Sequence, residues 1–450
     1  MRASGAQAAD VRIRAGRIVE VGPDLRAAGE DVVDARSMLV MPGVVDPHTH
    51  FTLDTGTEKT LDDFASASVA AAAGGVTTFL DFAPQQRGQT FLQTLESRRA
   101  EIDSRTLIDY GIHLNITQLM PGWEDELERL VEAGVTSAKV YTTYRDTVFY
   151  VDDWTWYRLM ERSGGAGLLV QVHAENDAIV EGKTRELIAA GKTSFAYHAQ
   201  SRPAVAEAEA VARGLLFSRA TGSPIYFVHL STPLAVDLVS EARPGVSAVA
   251  ETCPHFLTLD DSVYAGEDAA RYLMTPPLRD RASQDGLWER LRKGAIHTVG
   301  SDHCGFGLGQ REGVDDFSKV SAGIPGVETM LLLLYSLGVR RQRIGLPDLV
   351  RLLCTNPAKV FGLWGRKGDI APGFDGDLVI FDERPERVLS QHELHSKAGF
   401  SPYEGLELHG RVQTTICRGQ IVYQDGKVVA RPGYGQFLKC QPFDGSIDLS

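Results

Sequence analysis

Eight apolar runs, each closing on polar residues, alternate with helix-compatible stretches along the middle of this chain of 450 residues. The runs fall at 43–48, 76–81, 108–115, 137–144, 167–175, 224–231, 247–252 and 296–302, and stretches such as 61–73, 123–133, 205–220 and 287–293 lie between them. Strands that alternate with helices pair in parallel and need helices over their faces. Eight such units over roughly 310 residues predict an α/β fold, a (β/α)8 TIM-like barrel with long insertions. Its active site is then expected at the C-terminal ends of the strands. Gly74-Gly75 and Gly164-Gly165 are expected to stop two of the helices in left-handed conformations. A doubly wound open sheet competes with the barrel, but no GxGxxG follows a first strand, which weakens its dinucleotide-binding form.

The flanks read differently. Short strands separated by Gly and Asp turns are expected at 11–14 and 17–22, and again at 377–381, 414–418 and 420–423. Strands at both ends of a β/α alternation suggest a small β-sandwich domain formed from both termini. The expected division is 1–42 and 363–435 for the sandwich, 43–362 for the barrel and 436–450 for a C-terminal tail. A hydrophobic content of 43% is enough for a large core. The net charge of −13 argues against nucleic acid or an anionic membrane as a main partner. Five cysteines without a CxxC pair predict reduced thiols in a cytoplasmic protein. No apolar h-region follows Met1, so no secretory signal is expected. The apolar run 330–335 is too short to span a bilayer and predicts a buried helix.

Chemistry-bearing residues recur at the ends of the predicted strands. His48 and His50 stand two apart, so in a strand both side chains point to one side. Further along the same end come Lys139, His173, His229 and Asp302. Four imidazoles, a carboxylate and a lysine at one barrel mouth suit two divalent metals. An ammonium has no lone pair and repels cations. A carbamate formed from Lys139 and carbon dioxide is instead an anion with two oxygens, able to bridge two metals.

In this order the residues resemble the amidohydrolase superfamily, and more closely its dihydropyrimidinase/hydantoinase branch of cyclic amidases. The resemblance is carried by Met41–His50 (MPGVVDPHTH), Lys139–Tyr144 (KVYTTY), Val172–Asn176 (VHAEN), Val228–Ser231 (VHLS), Glu251–Pro254 (ETCP), Thr275–Arg279 (TPPLR), Gly300–Cys304 (GSDHC), Gly323–Glu328 (GIPGVE) and Asn356–Lys359 (NPAK). It covers nearly the whole chain. It implies that His48, His50, carboxylated Lys139 and Asp302 hold one metal, zinc by expectation, and Lys139, His173 and His229 the second. Bridging hydroxide is the implied nucleophile, Asp302 the catalytic proton carrier, and Tyr144 a catalytic and substrate-binding donor to the oxyanion. The substrate, a small cyclic amide such as a hydantoin or dihydropyrimidine, is expected to meet main-chain groups near Thr275 and Ala322. Its product is an N-carbamoyl amino acid. A homotetramer is also implied.

Two positions depart from the branch, which commonly has Ser at Thr275 and Asn at Ala322. Loops 51–53 and 147–150 are expected to select the ring substituent. Among alternatives, an allantoinase or other cyclic ureide hydrolase keeps similar ligands but typically lacks a tyrosine at position 144. A dihydroorotase often carries arginine at the position of Thr52. A mononuclear deaminase would not need Lys139, and a non-catalytic scaffold of the same fold would have lost ligands that are all present here. Of the residues beside the candidate ligands, His255 is expected to be a hydrogen-bonded loop histidine, and Cys253, Cys304 and His303 are expected to be structural.

Overall fold

The computed structural model describes residues 1–27 and 29–449. Strands β1 (Asp10–Arg14) and β2 (Arg17–Gly22) pair antiparallel, and β3 (Leu39–Pro42) follows. The barrel strands come next: β4 (Val44–Thr49), β5 (Val76–Pro84), β6 (Asp109–Asn115), β7 (Ser137–Tyr141), β8 (Leu169–His173), β9 (Ile225–Phe227), β10 (Ala248–Thr252) and β11 (Thr298–Val299). They form one eight-stranded sheet in sequence order, each parallel to the next. Thr49 bridges to His303 beyond β11, and the His50 N–H donates to the His303 carbonyl at 2.8 Å, which closes the sheet into a barrel. Every expected apolar run holds one of these strands. The last runs are shorter as strands because the chain turns sharply at His229 and Asp302, both with positive φ.

Most helices follow the expected stretches, with boundaries set by caps. Asp63 accepts from the Ser66 N–H and starts the helix Phe64–Ala73, later than residue 61. The helix Arg281–Arg292 begins well before the expected 287, because its first turn is polar and is marked only by the Asp280 cap. Gly164 and Gly165 do not stop a helix. They lie inside Asp153–Ala166, where the Gly164 N–H donates to Ser223 Oγ at 3.0 Å and an added Cβ would sit 2.5 Å from that oxygen. The left-handed stop is Gly167, at φ 78°. The run 330–335 is buried, as helix Met330–Leu333 and its π-helical continuation Leu334–Val339. Among the described residues no helix is long and apolar enough to cross a membrane.

After the barrel come β12 (Leu378–Val388), β13 (Glu407–Cys417), β14 (Gln420–Gln424) and β15 (Lys427–Val428). They form a five-stranded antiparallel sheet completed by β3, in the order β15-β14-β13-β12-β3, with Pro42 opposite Leu378. Buried Ile18, Ile370, Leu378 and Ile416 join the β1-β2 hairpin to this sheet, with Val11, Ile13 and Val21 packed against them. The chain after β15 returns to the barrel: the Leu438 N–H donates to the Tyr110 carbonyl at 2.8 Å, and Leu438 and Cys440 pack with Val45, Leu80 and Leu169 across the end of the barrel remote from the histidines.

Sheet and barrel are also tied by a buried charge network. Lys367 Nζ lies 2.7 Å from Asp109 Oδ2 at the start of β6, 3.2 Å from Asp375 and 2.5 Å from Asp377, and Arg418 Nε is 3.0 Å from Asp109. Three buried carboxylates around one ammonium are tolerable only while the ammonium is there. Lys367→Met is therefore expected to lower the unfolding free energy by about 3–5 kcal/mol, read from urea denaturation. An unchanged midpoint would remove this network from the account of stability.

Candidate metal centre

All six candidate ligands converge at the mouth of the barrel. His48 and His50 extend from the end of β4, and their Nε2 atoms are 3.2 Å apart. Asp302 Oδ1 lies 3.2 Å from His48 Nε2 and 3.3 Å from His50 Nε2. Lys139 projects from β7 with Nζ 2.9 Å from His48 Nε2 and 3.5 Å from His50 Nε2. His229 stacks on His48 with ring centroids 5.4 Å apart and meets His173 edge-on at 4.5 Å.

Second partners fix the rings. His48 Nδ1 pairs with Glu251 Oε1 at 2.7 Å, which leaves Nε2 to face Lys139 and Asp302. The same Glu251 accepts from the His229 N–H at 2.9 Å and from Tyr226 Oη at 2.7 Å. His173 Nε2 pairs with Glu175 Oε2 at 2.7 Å, and Arg202 holds that carboxylate at 2.5 Å. Carboxylates bonded to the remote nitrogen orient an imidazole and raise its basicity as a ligand. Asp46 Oδ1 accepts from the His48 and Ser301 N–H groups, tying the first strand to the last.

The electrostatics suit this arrangement. Burial, and then the positive charge of Lys139, push His48 and His50 down, and burial also lowers His173 and His229. Neutral imidazoles have the lone pairs a metal requires. Burial pushes Lys139 down to about 8. For Asp302, burial acts upward, but the imidazoles, His48 foremost, hold the carboxyl well below its usual range.

Three of the residues here have left-handed backbone: Tyr144 at φ 73°, His229 at 41° and Asp302 at 49°. Such conformations are costly for any residue that carries a Cβ, and they persist where surroundings enforce them. The turns swing these side chains into the mouth. Tyr144 Oη makes a short hydrogen bond with Thr275 Oγ1, its ring is 5.3 Å from that of His173, and the Arg202 guanidinium lies 4.9 Å over it. Burial raises its hydroxyl to about 12, so it stays a donor. Thr275 thus meets Tyr144 directly. Ala322 does not enter this cluster: its side chain packs against apolar residues that include Leu273 and Phe317, while the neighbouring Gly323 N–H donates to the Leu273 carbonyl at 2.9 Å.

Two expectations for individual residues change. Phe51 is core rather than a selectivity residue: it is fully buried against Phe64, Phe79 and His303, and its N–H donates to Asp81. The 147–150 loop does lie near the site, with the Phe149 ring 5.6 Å from Tyr141, which stacks on His173. His255 is buried with no hydrogen-bond partner at either ring nitrogen among the described residues, because its turn brings it beside Cys253 and Asp302 rather than a carbonyl. His303 is structural, bonded to Asp62 and accepting from the Gly326 and Val327 N–H groups. Glu251, Glu175 and Arg202 carried no assigned role in the sequence. Glu175 was within reach of pattern, two residues after His173; Arg202, in a polar connection, had no signal.

The amidohydrolase family model matches residues 39–422. The chain is 40% identical to the D-hydantoinase of Geobacillus stearothermophilus over 437 residues, 96% of this chain and 93% of that protein. It is 39% identical to a D-phenylhydantoinase of Escherichia coli O1:K1 / APEC, over 98% of this chain and 97% of that one. The crystal structure of dihydropyrimidinase from Brevibacillus agri NCHU1002 superposes with a TM-score of 0.96 at 37% identity, covering 98% of this chain and 97% of that one. Motif order, barrel, sandwich and whole-length similarity agree, and the chain belongs to the amidohydrolase family, in its dihydropyrimidinase/hydantoinase branch.

Proposed function

We propose that this chain opens the ring of a hydantoin or dihydropyrimidine to an N-carbamoyl amino acid, using two zinc ions held by His48, His50, Lys139, His173, His229 and Asp302, with Lys139 carboxylated between them. It is a hydrolase of cyclic-amide C–N bonds, and its family implies divalent-metal binding. The gathering of Lys139 and Asp302 against His48 and His50, with His229 and His173 packed beside them, carries the finer reading. The donor set fits two metals, given an anion at position 139. A lysine amine 2.9 Å from a ligand nitrogen is well placed to bridge as a carbamate and badly placed to remain a cation. Bound there, the metals supply a polarised scissile carbonyl and a water acidic enough to attack near neutral pH.

The chain's own groups handle protons and orientation. Asp302 takes the proton of the attacking water at its carboxylate and returns it to the departing amide nitrogen, so the ring carbonyl gains a hydroxyl and the nitrogen a hydrogen. Tyr144 Oη turns from Thr275 to donate to the carbonyl oxygen as negative charge grows there. Main-chain groups of the linked segments around Thr275 and Ala322 hold the ring amide, so threonine and alanine at these positions are expected to cost little in binding. Thr52 Oγ1 accepts from Arg98, whose guanidinium is committed to Asp81, so this corner offers no cation for a substrate carboxylate. That favours an uncharged ring substituent over dihydroorotate.

The test is kcat/KM of metal-stripped and zinc-reloaded protein on dihydrouracil, 5-substituted hydantoins of both hands, allantoin and dihydroorotate. Hydantoin or dihydrouracil should lead, and only after reloading; preference for allantoin or dihydroorotate would overturn the substrate assignment. Tyr144→Phe is expected to lower kcat by about 10²–10³-fold with a small change in KM. An effect confined to KM would make Tyr144 a binding residue only.

A further inference from the structure

A second donor set shares Asp302. Cys253 Sγ, a ring nitrogen of His255 and an Asp302 carboxylate oxygen all lie within 4.8 Å of one another. Cys253 ends the turn out of β10 and His255 sits in the short helix Pro254–Thr258, so one turn presents both. His255 is 1% exposed, and neither of its nitrogens meets a hydrogen-bond partner among the described residues. A buried imidazole left this way is expensive, and native proteins leave few such groups without a water, ion or ligand. The other crowded group of acids and a thiol, Asp109, Asp377 and Cys417, is already neutralised by Lys367 and Arg418, whereas among the described residues no lysine or arginine forms a salt bridge with Asp302, and Lys139, the cation that acts on Cys253 and Asp302, is in contact with His48 and His50 instead.

We propose that Cys253, His255 and Asp302 form an auxiliary site for a thiophilic divalent metal such as Zn²⁺ or Cd²⁺, filled when the metal is in excess. Thiolate, imidazole and carboxylate are the ligand types of protein zinc sites, and the sulfur selects against magnesium and calcium. The metal enters from the barrel mouth, where the Asp302 side chain keeps 14% exposure. Binding forms a sulfur–metal bond and releases the thiol proton to solvent. The metal thereby draws on the carboxylate needed for turnover, so excess metal inhibits. This inhibitory consequence rests on the role proposed above for Asp302; the occupancy of the site does not.

The experiment titrates zinc-loaded enzyme with cadmium chloride and follows three readouts: metal content per chain, ultraviolet sulfur-to-cadmium charge-transfer absorbance, and hydrolysis. Wild type should take one further equivalent, develop the thiolate band and lose activity in step. Cys253→Ser should keep its basal activity and lose both the band and the inhibition. Cys304→Ser, which alters the other thiol near Asp302, should retain both. His255→Gln should weaken the cadmium affinity by about 10–100-fold. A band that survives Cys253→Ser, or no further equivalent in wild type, overturns the proposal. Metal content before titration separates the two readings: two equivalents per chain without a thiolate band sink only the auxiliary site, whereas the band with fewer than two resident equivalents sinks only the paired centre.

Discussion

Lys139→Ala is expected to lower kcat/KM by on the order of 10⁴-fold or more, the loss that follows when about 5–6 kcal/mol of metal-dependent transition-state stabilisation goes. The side chain is fully buried, with Nζ in contact with His48 Nε2 and close to His50 Nε2. Of the six proposed ligands, four are imidazoles and one is a carboxylate. In the proposed centre Asp302 alone would not balance two divalent cations, and a carbamate at Lys139 would supply the further anion. Alanine would remove that anion and leave room for a small molecule in its place. Propionate or acetate should therefore restore part of the activity and of the metal content, and an uncharged alcohol of the same size should not. Full activity in the variant, or equal rescue by alcohol, would end the bridging assignment.

Asp302→Asn should keep the fold and reduce kcat by about 10³–10⁴-fold, since on the proposed mechanism it removes a proton carrier and weakens a ligand together. The amide is nearly isosteric, so the turn at φ 49° and its place beside His48 and His50 should persist, and circular dichroism and melting should resemble wild type. An amide cannot accept a proton in this pH range. The loss should therefore fall on kcat and remain across the pH profile rather than recover at high pH. Wild-type rates would require another base, and Glu251 and Glu175 are poorly suited because each is engaged with a histidine ring and a further donor.

Much of this was legible in the sequence. The spacing of apolar runs announced the barrel, because buried parallel strands must be continuously apolar while the helices between them carry caps and polar faces. That His48, His50, His173, His229 and Asp302 would gather at one mouth was legible because each stands where such a run breaks into polar residues, and Lys139 because it interrupts one. What escaped was set by tertiary approach. Phe51 reads as a loop residue beside His50, yet a sharp turn at Thr52 and the packing of Phe64 and Phe79 fold it inward. His255 reads as an ordinary turn histidine, and only the closing of β10 against β11 brings it to Asp302. Arg202 reaches Glu175 from a segment with no periodicity, so nothing local marked it.

The sheet shared by the two ends of the chain has a consequence for biosynthesis. Strand β3 leaves the ribosome with neither edge paired, and β12, its partner in the sheet, is translated only ~330 residues later, a wait of roughly 20–70 s at ordinary elongation rates. Through that interval the nascent barrel must mature beside an open strand edge, a template for unwanted pairing with other chains. Expression yield in this protein should thus respond to translation speed and to chaperones that shelter the N-terminal edge, more than to the stability of the finished barrel.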